Sequence, residues 1–87
     1  MKILDYSLKM TCGACPEQYD VFDSEGKQVG YLRLRHGYFR ADYPDCGGVT
    51  VYEASPEGDG IFACHEREFF LTKAVEAIHN QIQLEKE

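Results

Sequence analysis

The sequence predicts an α+β domain: an antiparallel β-meander of about five strands with one C-terminal amphipathic helix packed on it. Three observations lead there. Apolar and polar residues alternate with a period of two over much of residues 4–54, the pattern of strands with one buried face. Clusters of Gly, Pro, Asp and Ser punctuate those runs as turns do. From about Cys64 onward the apolar spacing changes to that of a helix.

In order along the chain, Leu4, Tyr6, Leu8 and Met10 alternate with Asp5, Ser7, Lys9 and Thr11, which predicts a first strand burying the first set. Residues 12–16 interrupt it. Extended character resumes from Gln18 to Asp23, with Tyr19 and Val21 on one side and Phe22 on the other, and Ser24-Glu25-Gly26-Lys27 supplies a turn. Val29 to Arg35 and Tyr38 to Tyr43 form the clearest hairpin, joined by His36-Gly37, two residues that tolerate positive φ. A two-residue loop fixes the register: Leu34 opposite Phe39, Leu32 opposite Ala41 and Gly30 opposite Tyr43 on an apolar face. The other face then pairs Arg35 with Tyr38, Arg33 with Arg40, and Tyr31 with Asp42. Pro44 to Gly48 is a turn cluster, Val49 to Ala54 a fifth strand burying Val49 and Val51, and Ser55 to Gly60 a loop. Leu71, Ala74, Val75, Ile78 and Ile82 recur at helical spacing, and Glu66 and Glu68 suit the positive end of that helix. Its tail, Glu85-Lys86-Glu87, lacks a capping Gly and is expected to fray.

Composition bounds the function. At 87 residues the chain reads as a single small domain, residues 1–87, without repeat, linker or low-complexity segment. A net charge of −6, from 9 basic and 15 acidic side chains, counts against nucleic acid as a partner, since affinity for phosphate backbones needs clustered cations. No run approaches the roughly 18 apolar residues of a membrane span. The N-terminal stretch has neither an unbroken apolar core nor a small-residue cleavage site, so it does not read as a signal peptide. A cytoplasmic setting is expected, with the four cysteines as thiols or ligands.

Cys12 and Cys15 are the feature nearest to chemistry, because two thiols this close can hold a soft metal, form a redox disulfide, or merely pack. The run Met10-Thr11-Cys12-Gly13-Ala14-Cys15 resembles the metal loop of heavy-metal-associated domains, which bind Cu(I) or similar ions through two thiolates. The resemblance covers six residues and implies Cys12 and Cys15 as soft ligands, with the second Cys opening a helix in a βαββαβ fold. Cys-Gly-Ala-Cys is also similar to the thioredoxin-type redox motif, which needs alternating strands and helices. A structural zinc site takes four ligands, so Cys46, with Cys64 or His65, would have to complete the set. The plainer expectation is that Cys46 and Cys64 are small buried apolar side chains and that no cofactor is bound, zinc being the alternative.

Arg33, Arg35 and Arg40 gather on one hairpin of an otherwise acidic chain, beside Tyr31 and Tyr38. Opposed arginines repel by up to about 1 kcal/mol, a cost that Asp20, Asp42 or an anionic partner would relieve. Arg and Tyr together are what protein interfaces enrich, so Tyr31, Arg33, Arg35, Tyr38 and Arg40 are the candidate interaction residues, toward a protein partner or a second copy. Phe22 and Val29 are expected to add to that face, while His36 and His79 call for no special role. The chain lacks a nucleophile elbow, a phosphate loop and a zinc-protease helix, and a non-enzymatic role follows as the expectation.

Overall fold

Each strand pairs with its neighbour in the chain, giving one antiparallel sheet in the order β1-β2-β3-β4-β5-β6. The computed structural model describes residues 1–13, 16–58 and 60–86. The strands are β1 (Lys2–Ile3), β2 (Tyr6–Gly13), β3 (Glu17–Phe22), β4 (Gln28–Arg35), β5 (Tyr38–Tyr43) and β6 (Val49–Ala54), and the helix is α1 (Arg67–Lys86). This is the expected α+β meander with one strand more. No helix among the described residues is long and apolar enough to cross a membrane.

The β4–β5 hairpin matches the expected register over Arg35↔Tyr38, Leu34↔Phe39, Arg33↔Arg40, Leu32↔Ala41 and Tyr31↔Asp42. His36 and Gly37 carry it with φ of 54° and 72°, the left-handed pair that a two-residue turn requires if the strands are to keep their twist. Leu32, Leu34, Phe39 and Ala41 therefore share one face, where they meet Leu71, Ala74, Val75 and Ile78 of α1. Phe39 is the hub, with ring centroids 5.0 Å from Phe62, 6.1 Å from Tyr52 and 6.3 Å from Phe70.

Gly30 lets the helix come this close. A Cβ at that position would stand 2.4 Å from Ile78 Cδ1 and 3.3 Å from Val21 Cβ. Gly30→Ala is expected to cost about 1–3 kcal/mol through overpacking, read as a lower urea midpoint with an unchanged slope. An unaltered midpoint would mean that Ile78 yields freely.

Four expectations need correction. The first strand is split: a turn with Leu4 at φ 56° separates β1 from β2 and leaves Leu4 56% exposed instead of buried. Met10 is also exposed, because α1 packs chiefly on β4, β5 and β6 and does not reach its end of β2. Val49 is 64% exposed and Val51 only half-buried, since β6 is an outer strand whose register slips by one residue at Val51. Val29 joins the core instead of the arginine face, for a similar slip opposite Val21–Phe22 turns it inward. At the C-terminus the helix runs through Lys86, with Glu85 accepting from Tyr43 Oη at 2.9 Å and Gln81 Nε2 at 3.4 Å, and Glu87 of the expected frayed tail lies outside the described residues.

Candidate functional site

The helix covers one face of the sheet, and the alternate residues of β3, β4, β5 and β6 project from the other. Cross-strand pairing sets Cys12, Gln18, Arg33, Arg40 and Glu53 in one row of that outer face, and Lys9, Asp20, Tyr31, Asp42 and Thr50 in the next. The second row is roofed by the turn after β5. Asp42, 2% exposed, accepts hydrogen bonds from Thr50 Oγ1 at 2.9 Å and the Gly47 amide at 3.4 Å, which holds the turn down. Tyr31 lies buried beneath it and donates to Gln18 Oε1 at 2.6 Å; burial and the neighbouring Cys46 sulfur raise its hydroxyl above the usual 10.0.

Toward the β4–β5 turn the outer face is open. Arg33, Arg35, His36, Tyr38 and Arg40 line a groove of about 380 Å³ there. Of the five candidate interaction residues, four border this groove, and Tyr31 stands behind it under the turn. The expected Arg33–Arg40 apposition is present, and the two side chains resolve it differently. Arg40 turns its Nε to Asp42 Oδ2 at 3.2 Å, the relief expected from that carboxylate. Asp20, the other expected counter-charge, instead accepts from Gln28 Nε2 at 3.3 Å. Arg33 Nε is buried without a hydrogen-bond partner, and neither Arg33 nor Arg35 forms an ion pair among the described residues. At the rim, Tyr38 Oη donates to Glu53.

The three described cysteines sit on different segments. Cys15 lies outside the described residues. Cys12 is half-buried at the end of β2, and its row belongs to the outer face. Cys46 is exposed in the turn above Tyr31, while Cys64 is exposed before α1, beside a recess bordered by Met1, Lys2, Ile3 and Arg67. The expectation of buried Cys46 and Cys64 is thus corrected: both sit in connecting segments that no apolar layer covers. Among the described residues, ligand atoms of three metal-binding side chains converge within 4.8 Å only at Glu57, His65 and Glu66, so Cys12, Cys46 and Cys64 or His65 do not gather as one set. The segment after residue 15 is strand β3 and not a helix, so the chain does not follow the βαββαβ order of the heavy-metal domains.

That Glu57–His65–Glu66 group is a loop fastening. Glu66 accepts three backbone amides, from Glu57 at 2.8 Å, Gly58 at 2.7 Å and Ala63 at 2.9 Å. Burial opposes its charge, yet these amides hold the carboxyl below the usual carboxylate value. Exposed His65 and Glu57 pair alongside at 2.5 Å.

Sequence reading missed a second polar cluster. Glu17, fully buried, accepts from Tyr19 Oη at 2.5 Å, the Phe62 amide at 2.9 Å, and Arg67 through Nε at 2.9 Å and Nη2 at 3.2 Å. Burial would raise its carboxyl, but the Arg67, Tyr19 and Phe62 bonds outweigh that and hold it below the usual 4.5. Tyr19 is pushed well above its ordinary range by burial and by the carboxylate it serves. The available signal was Glu17 itself, an acidic residue in phase with inward-facing Tyr19 and Val21. His79, expected to have no special role, meets Tyr6 Oη at 2.8 Å with the rings edge to face.

Comparison with known protein families, curated proteins and solved structures finds no match.

Proposed function

We propose that this chain is a small non-enzymatic interaction module that engages a protein partner across the outer face of the β4–β5 hairpin. The observation that supports it is Arg33, which lines a groove with Arg35, Tyr38 and Arg40 and whose buried Nε has no hydrogen-bond partner. A guanidinium desolvated on one side and unsatisfied costs free energy that a bound acceptor would recover. The Tyr38 ring and the arginine stems around it supply the apolar contact that interfaces combine with charge.

Arg33→Glu with Arg35→Glu is the fitting test, because Arg40 must stay to neutralise buried Asp42. The double variant is expected to remain folded and to lose any self-association or partner capture that the parent protein shows. Identical sedimentation and capture by the two proteins would remove this reading. Elemental analysis of the same untagged preparation addresses the alternative, in which Cys12 and Cys15 hold zinc or copper. Stoichiometric metal together with chelator-sensitive thiol protection would favour that alternative.

A further inference from the structure

Resting on the reading just given, we propose that the groove takes a phosphoryl group carried on a side chain of the partner protein. Charge complementarity makes the choice. Asp42 already balances Arg40, whereas Arg33 and Arg35 have no carboxylate partner among the described residues, so the groove holds two uncompensated guanidinium charges. A carboxylate ligand would offset one of them. A phosphoryl group brings a charge of about −1.5 to −2 and three acceptor oxygens, which matches both.

The position of Arg33 adds direction. Its Nε is a buried donor without a partner, so an acceptor seated in the groove would meet the guanidinium at its remaining N–H groups, in the bidentate manner that arginine offers. Arg35, exposed at the strand end, is free to fold over the same group. The volume of about 380 Å³ is at the lower end of small-ligand sites, roughly 300–1,000 Å³, enough for one modified side chain and its flanking backbone. A polynucleotide needs a track of cations, and with a net charge of −6 the chain offers this one cluster of arginines. Glu53 is engaged by Tyr38 and Asp42 by Arg40, so these two carboxylates do not offset Arg33 or Arg35.

The Arg Nε–Hε signals in nitrogen–proton NMR spectra report directly on this contact. The full chain is titrated at constant ionic strength with Gly-Gly-pSer-Gly-Gly, with the unphosphorylated peptide, with the peptide carrying Asp at that position, and with inorganic phosphate. The phosphopeptide is expected to move the Arg33 signal saturably and to bind at least about tenfold tighter than the other three probes. Arg33→Gln and Arg35→Gln should each weaken it by about tenfold or more, with the unfolding midpoint held. Equal affinity for the Asp peptide would show that a carboxylate suffices, and equal affinity for inorganic phosphate would show a bare-anion site. Either result, or an unmoved Arg33 signal, overturns the proposal. If the phosphopeptide fails while Arg33→Glu/Arg35→Glu still abolishes association, only this inference falls; if neither has an effect, both readings fall.

Discussion

Arg67→Met is expected to lower stability by about 3–5 kcal/mol, the largest loss from any single polar substitution in this chain, because it strands the Glu17 carboxylate in the core. Glu17 is fully buried and its charged partner is that guanidinium, which donates twice, while Tyr19 and the Phe62 amide cannot by themselves offset a buried charge. Urea unfolding of the two proteins measures it; a loss under about 1 kcal/mol would mean that the carboxyl is protonated or hydrated in the variant. Glu17→Met combined with Arg67→Met should recover much of the loss, since an apolar pair leaves no unmatched charge. The same contact sets an acid limit. Because the folded-state value of Glu17 lies below the unfolded 4.5, its contribution is complete above that pH and disappears as pH falls through the folded-state value. Glu17→Gln should accordingly flatten the acid side of the stability profile.

Glu66→Ala is expected to cost about 2–4 kcal/mol, because one carboxylate there holds three amides and stands at the positive end of α1. Without it the Glu57, Gly58 and Ala63 amides lose their acceptor, and the segment that delivers Phe62 to Phe39 loses its fastening. The readout has two parts. Global unfolding shifts, and amide exchange at those three positions accelerates beyond what the global change explains. Exchange rates that rise only in step with global stability would show that the loop holds itself together.

The hairpin and the helix were legible because local chemistry alone decides them. His36-Gly37 permits one turn geometry, and that geometry dictates every pairing from Arg35↔Tyr38 to Tyr31↔Asp42. Leu71, Ala74, Val75 and Ile78 bury as their spacing requires. Where alternation misled, a register slip or missing cover intervened. The slip at Val29 reverses its side, and Met10 alternates correctly yet meets no helix. Neither is encoded in period.

Much the same division runs through the site. Arg33 facing Arg40 followed from the turn, whereas the unpartnered Arg33 Nε depends on Asp42 choosing Arg40, a three-dimensional preference. The Glu17–Arg67 contact joins residues fifty positions apart, and no spacing rule links them. Cys46 resting over Tyr31 depends on how the turn after β5 folds back, which Asp42 governs from outside the turn itself.

The two borders of the sheet are unequal. One carries the two-residue β1, which pairs only with Tyr6 and Ser7 and leaves the far part of β2 as an edge broken by the register shift between Met10 and Cys12; the other is the six-residue β6, interrupted at Val51. Each flank is thus divided into short lengths, denying a growing fibre the straight template it needs.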